Sequence, residues 1–255
     1  MFALNNLFQD LSDYMDFLTK DKRCTKATIK NYRSTLNKFV EQYEDLDTRS
    51  VRTFLRSVDH AESRNTYLVR LKGFATFLDI SLSKIPRAKE VVKDPDALIS
   101  SELESVCSVG AQMDSQFGHG LTLLCHTGLR IHEFYNLREQ HLEMEQELFR
   151  LRVLGKGQKI RVVPLHDEAL EAFCEMKKPF PIPEKRFRVM LHEVGAAIGK
   201  QVHPHLLRAS CASIMMNERH VDSATVCRIL GWSKVDTMAK HYYKPSAAIL
   251  HEAVR

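Results

Sequence analysis

Four short stretches in the second half of the chain carry side chains suited to a single kind of chemistry. In Thr127-Gly128-Leu129-Arg130-Ile131-His132-Glu133, a glycine permits a tight turn, Arg130 opens a helix, and Glu133 follows one turn later on the same face. Gly155-Lys156-Gly157 places a lysine between two glycines. His205-Leu206-Leu207-Arg208 puts an imidazole and a guanidinium three positions apart, on one side of a helix. Leu230-Gly231-Trp232 is followed, about one short helix later, by Tyr242-Tyr243. Two arginines, a lysine, a histidine and a tyrosine without grouped acids fit the cleavage of a phosphodiester. The pentavalent state gathers negative charge on its non-bridging oxygens, and forked guanidinium groups match that geometry. A lysine or histidine can protonate the departing 5′ oxygen. A tyrosine oxygen can attack phosphorus and hold it as an ester, conserving the bond for rejoining. A Mg²⁺-dependent nuclease would need clustered Asp and Glu instead. The pattern therefore favours metal-free phosphoryl transfer.

Taken singly, each stretch has an ordinary explanation: a helix-start arginine, a solvated hairpin tip, an exposed arginine on a helix, a packing tryptophan, half-buried tyrosines. Their joint occurrence, in order, is what argues for a site. His203-Pro204-His205 suggests a metal, but no cysteine or His-x₃-His partner stands at ligand spacing.

The elements that must position these groups are mostly helical. Leu4, Leu7, Phe8, Leu11, Met15 and Leu18 keep the spacing of one helical face. A second helix buries Ile29, Tyr32, Leu36, Phe39 and Val40 and carries Lys26, Lys30 and Arg33 on its other side. A third spans about Thr48–Val58. A fourth, about Glu62–Leu78, buries Leu68, Leu71, Phe74 and Phe77 or Leu78 and turns Arg64, Arg70 and Lys72 to solvent. The pattern breaks over 80–97, where Ser81, Ser83, Pro86 and Pro95 suggest a linker. Ser101-Glu102-Leu103-Glu104 fits a capping box that starts the next helix. Helix Gln116–His126 ends at Thr127-Gly128. From Leu148 to Leu165 the period becomes two, around a turn at Gly155–Gln158, which is a β-hairpin. Helices near Asp167–Met176, Glu184–Gly199, His205–Asn217, Asp222–Leu230 and Lys234–Tyr243 complete the chain.

Composition excludes several classes. The chain has 255 residues, 44% hydrophobic and 27% charged, which suits a globular protein of one or two domains and not a disordered or fibrous one. No apolar run approaches the roughly 18 residues of a membrane span, and early aspartates at 10, 13 and 16 argue against a signal peptide. Six scattered cysteines form no CxxC pair, so neither a disulfide framework nor structural zinc is expected. A cytosolic setting follows. Of the net charge of +5, most lies in residues 1–92, with 16 basic and 12 acidic residues, a weak hint of an anionic partner.

The ordered set (Thr-Gly-Leu-Arg-x-x-Glu, the Gly-Lys-Gly hairpin running into Arg-Val-Val-Pro-Leu, and His-x-Leu-Arg) resembles the tyrosine recombinase family of phage integrases and Xer-type resolvases. The resemblance implies a mainly α fold. An N-terminal four-helix, SAM-like core-binding domain would occupy residues 1–80 and a linker 81–96. An α-rich catalytic domain with a small antiparallel β-sheet would fill 97–255, the two domains closing on DNA as a clamp. It implies site-specific recombination of duplex DNA through a 3′-phosphotyrosyl intermediate, with no metal or nucleotide cofactor. Arg130 and Arg208 would clamp the scissile phosphate, Lys156 would act as general acid, His205 would assist proton transfer and Glu133 would buttress the site. Trp232 would stand where most members have a second histidine.

The chain departs from the family pattern at Ala209, where many members have histidine, in a gap from Trp232 to the tyrosine one residue longer than usual, and in its paired tyrosines. Successive helical residues point about 100° apart, so Tyr242 and Tyr243 cannot both face one phosphate. Asp236-Thr237-Met238-Ala239 resembles the run before the nucleophile in some phage integrases, a register that selects Tyr242 and leaves Tyr243 as the alternative. Lys26, Lys30, Arg33, Arg64, Arg70 and Lys72 become candidate DNA contacts. The active form would be a tetramer on two inverted-repeat core sites, on the nucleoid in the cytoplasm, with accessory proteins left open. The tail 244–255, through Ala248, Ile249 and Leu250, would dock on a neighbouring protomer or fold back on its own domain. With core-binding helices from the start of the sequence, the additional arm-site domain of longer phage integrases is not expected. A type IB topoisomerase, a telomere resolvase, or a DNA-binding protein with a vestigial site remain alternatives.

Overall fold

In a computed structural model the chain divides into two units, Met1–Val92 and Lys93–Arg255. Residues 7–82, 85–89, 96–155 and 159–232 are described. The expected helix Lys234–Tyr243 and the tail 244–255 lie outside them, as do Lys156, Tyr242 and Tyr243.

The first unit holds α1 (Leu7–Lys20), α2 (Lys26–Val40), α3 (Thr48–Arg56) and α4 (Ala61–Phe77). Leu7, Leu11, Tyr14, Met15 and Leu18 form the buried stripe of α1, at the helical spacing that makes a surface helix amphipathic. Thr25 caps α2 by accepting from the Thr28 N–H at 3.2 Å. Asp47 and Ser50 satisfy each other's backbone N–H groups at the start of α3, at 2.7 and 3.1 Å. The four stripes meet in one core around Leu36, Phe39, Val51, Leu55, Leu71 and Phe74. Part of the segment expected as a linker belongs to this core. Leu82 and Ile85 are buried in it, and the Asn65 amide accepts from the Ala88 N–H at 2.7 Å and donates to the Ala88 carbonyl at 3.0 Å. Ser81 and Pro86 lie outside any helix or strand, in chain that still packs through Leu82 and Ile85.

Lys26, Lys30 and Arg33 are exposed along α2. The expectation that Arg64, Arg70 and Lys72 form a solvent face is corrected. All three are half-buried, Arg70 donates to the Thr35 hydroxyl and Lys72 to the Ile85 carbonyl at 3.2 Å. At about 100° per residue Arg70 and Lys72 stand on opposite flanks of the buried stripe and Arg64 in line with it, so the three do not share one side.

The second unit comprises α5 (Ser100–Met113), α6 (Ser115–Thr127), α7 (Ile131–Tyr135), a three-stranded sheet, and α8 (Asp167–Glu175), α9 (Glu184–Ala197), α10 (Pro204–Asn217) and α11 (Ser223–Leu230). Helix α5 starts before the expected capping box, and Glu102, not Ser101, closes its N-terminus by accepting from the Ile99 N–H at 3.1 Å. Helix α10 is buried on every side from Leu206 to Met215, its small residues Ala209, Ser210, Cys211, Ala212 and Ser213 letting α6 and α11 approach. The strands β1 (Leu142–Glu145), β2 (Leu148–Leu154) and β3 (Ile160–Leu165) run antiparallel in the order β1-β2-β3. Leu151, Val153, Val163 and Leu165 face inward, while Leu148, Leu154, Ile160 and Val162 are exposed. The sheet agrees with the small antiparallel element expected, with β1 added to the hairpin.

Because the two cores are separate, Leu71→Ala should cost the first unit about 2–5 kcal/mol. Hydrogen exchange should speed up across α1–α4 while α6 and α10 keep their protection. Uniform loss in both units would contradict the division.

Candidate active site

Two glycines with left-handed backbone set the frame. Gly128, at φ 58°, ends α6, and Gly231, at φ 70°, ends α11. At the second, the Trp232 N–H reaches back to the Cys227 carbonyl at 2.9 Å and the Gly231 N–H to that of Arg228 at 3.3 Å, which is a Schellman turn. The two helix ends touch: a Cβ on Gly128 would lie 2.5 Å from Leu230 Cδ2. Both therefore present their negative, carbonyl-bearing termini to one place.

Guanidinium groups fill that place. Arg208, only 2% exposed, bridges the two ends by donating from Nη1 to the Gly128 carbonyl and from Nη2 to the Leu230 carbonyl. Its Cζ lies 4.9 Å from the centre of the Trp232 ring. Arg130 donates from Nη2 to the Gly231 carbonyl at 3.3 Å. Arg161, on β3, donates from Nε to the Ile229 carbonyl at 2.9 Å. Three successive carbonyls at the end of α11 thus each meet a different arginine.

A single carboxylate ties two of the three together. Glu133, in the first turn of α7, has a side chain with no solvent exposure. Its Oε1 accepts from Arg130 Nη1 at 2.9 Å and Arg161 Nη1 at 2.7 Å. Its Oε2 accepts from Arg161 Nη2 at 2.8 Å and the Arg130 backbone N–H at 2.8 Å. Burial alone would raise its pKa, but the hydrogen bonds and charge of Arg161 and Arg130 outweigh this and hold it at about 2. Among these described groups one negative charge faces three positive ones, so the site keeps an excess of positive charge for an anion.

Arg130, Glu133, Arg208 and Trp232 are brought together by these contacts. His205 is exposed in the first turn of α10, one turn before Arg208, where Pro204 opens the helix. His203 is its N-cap, accepting through Nδ1 from the Leu206 N–H at 3.1 Å. Sequence reading missed Arg161. The signal was present: alternation along β3 puts residue 161 on the same side as the buried Val163 and Leu165, and an arginine there must find partners.

The chain is similar to known proteins over most of its length. A model of the phage integrase family matches residues 111–248, more than half of the chain. A tyrosine recombinase from Thermosipho africanus is 27% identical, covering 88% of this chain and 91% of that protein. Tyrosine recombinase XerA from Pyrococcus horikoshii is also 27% identical, over 98% of this chain and 93% of its own. Among solved structures, the XerH recombinase bound to palindromic difH in a post-cleavage complex superposes with a TM-score of 0.74 at 19% identity, covering 96% of this chain and 83% of that one. Lambda integrase residues 75–356 bound to DNA give 0.74 at 16% identity, covering 93% and 95%. These structures share the fold.

Since the Glu133 pKa is depressed from 4.5 to about 2, its ionised form contributes stability above about pH 4.5 and loses it as pH falls through 2. The contribution is about 3 kcal/mol at neutral pH. Urea unfolding followed between pH 5 and pH 2 should show this slope in the wild type and a flatter one in Glu133→Gln. Identical slopes would contradict the buried ion pair.

Proposed function

The chain belongs to the phage integrase family, and on that premise we propose how it acts as a site-specific DNA recombinase of the tyrosine type. The observation that carries the reading is the cluster of guanidinium groups at the joined ends of α6 and α11, with α11 ending twelve residues before Tyr242 in the sequence. Arg130 and Arg208 engage the non-bridging oxygens of the scissile phosphate, where forked donors and surplus positive charge favour the pentavalent state over the ground state. The Tyr242 oxygen attacks phosphorus in line, forming a 3′-phosphotyrosyl bond, and the P–O5′ bond breaks. Lys156 gives its proton to the departing 5′ oxygen, with His205 assisting. The 5′ hydroxyl of a partner strand then attacks the same phosphorus and releases the tyrosine. Trp232 supplies an indole N–H and packs on Arg208. Tyr243 is the alternative nucleophile. The residues proposed for catalysis are basic, aromatic and hydroxylic, so the chemistry needs no metal.

The protein binds DNA. The first unit, expected as residues 1–80 and continuing through Leu82 and Ile85, is the core-binding domain, with Lys26, Lys30 and Arg33 on α2 as phosphate contacts. Arg64, Arg70 and Lys72 contribute less, since two of them are engaged within their own unit. Two inverted-repeat core sites are brought together by a tetramer, and the enzyme works on the nucleoid in the cytoplasm. Among the described residues no helix is long and apolar enough to cross a membrane.

The experiment is to trap denaturant-resistant protein–DNA adducts on sheared genomic DNA of the source organism and to sequence the bound 3′ ends. Adducts should form with the wild type, concentrate at one inverted-repeat sequence, and vanish in Tyr242→Phe but not in Tyr243→Phe. Loss in Tyr243→Phe alone would reassign the nucleophile. DNA binding without adducts from any variant would make the chain a binding protein.

A further inference from the structure

Resting on the recombinase reading, we infer that Arg161 is a positioning residue for strand cleavage, acting through Glu133 and the C-terminal end of α11 without touching DNA. An arginine on the inward side of β3 is costly unless its N–H groups are matched. Here its fork closes on both oxygens of Glu133 at 2.7 and 2.8 Å, and its Nε closes on the Ile229 carbonyl at 2.9 Å. All three nitrogens of its guanidinium are thus taken up by Glu133 and Ile229 inside the unit, and the Glu133 side chain has no exposed surface.

Two parts of the proposed machinery lean on this pair. Arg130 takes the same Glu133 oxygen at 2.9 Å, so the carboxylate sets where the Arg130 guanidinium lies. Gly155, which precedes Lys156, bonds through its N–H to the Lys159 carbonyl at 2.8 Å, closing the base of the loop. That base rests against the pair: a methyl on Gly155 would lie 3.5 Å from Arg161 Nη1 and 3.7 Å from Glu133 Oε1. At the other end, a Cβ on Gly231 would come within 2.8 Å of Arg161 Cδ. Glycine at 231 is thus required both by its positive φ and by the passage of this arginine. Arg161 joins the strand that follows Lys156, the turn that aims Arg130 and the helix end ahead of the nucleophile.

The test compares wild type, Arg161→Ala, Arg161→Lys, Glu133→Gln and the Arg161→Ala/Glu133→Gln double variant. The substrate is a nicked duplex of the sequence recovered from the trapped ends. Trp232, the sole tryptophan, reports on the end of α11 without DNA. In Arg161→Ala, single-turnover cleavage at neutral pH should fall about 100-fold, as expected when a reacting group is displaced by around 1 Å, while DNA affinity stays within two-fold and Trp232 emission shifts. Arg161→Lys should recover only part, because an ammonium cannot fork. The groups facing Glu133 among the described residues are Arg130 and Arg161, so with Arg161 gone the carboxylate is left to burial and Arg130 alone. Residual cleavage should then rise with pH as Glu133 ionises, a dependence missing from the double variant. A structural role alone would not produce that pH step. Arg161→Ala cutting at the wild-type rate, or losing binding and cleavage in parallel with folding, overturns the inference. A wild type that cuts no duplex overturns the recombinase reading itself.

Discussion

The second unit is organised around one buried anion. Glu133 has no exposed side-chain surface, and removing a carboxylate from water costs several kcal/mol unless charge and hydrogen bonds replace the solvent. Here four donors from two arginines replace it. Meeting that requirement constrains three remote stretches at once: the turn before α7, strand β3, and the end of α11 against which both arginines brace. The same arrangement leaves the cluster positively charged, which is what a phosphodiester needs.

Helix ends supply the second constraint. The carbonyls at the C-termini of α6 and α11 carry partial negative charge and, buried together, would repel one another and lack partners. Arg208 satisfies one from each and is held in return between them and the face of Trp232. Its orientation is therefore set before any substrate arrives, and a preorganised donor loses little on meeting a developing charge. The left-handed glycines 128 and 231 are the backbone condition for this meeting, since a side chain at either would strike Leu230 or Arg161.

The legible parts of the sequence were those with strong periodicity. The stripe of α2, most of that of α1 (Phe8, expected in it, is exposed and Tyr14 takes its place), the alternation of β2 and β3, and the glycine that ends α6 follow from spacing alone. Strand β1 was hidden because it is four residues long, sets only Leu142 against the core and leaves Met144 exposed. The first unit's second basic face failed for another reason: a long cationic side chain beside a buried stripe can turn inward to a hydroxyl or carbonyl, as Arg70 and Lys72 do. Within the site, Arg130, Glu133 and Arg208 were visible as motif residues. Arg161 stood in the Arg-Val-Val-Pro-Leu run without a role, because its partnership emerges only when the inward side of the hairpin is followed to the carboxylate.

In the proposed mechanism guanidinium groups, and no metal ion, carry the charge of strand cleavage. Single-turnover cleavage of a nicked duplex, measured in EDTA and in saturating Mg²⁺ for the wild type and Arg208→Ala, tests it most directly. The wild-type rates should be equal in the two buffers and the Arg208→Ala rate at least about 100-fold lower in both, as the loss of one preorganised donor to a developing oxyanion costs about that much. Cleavage abolished by EDTA, or restored to Arg208→Ala by Mg²⁺, would contradict it.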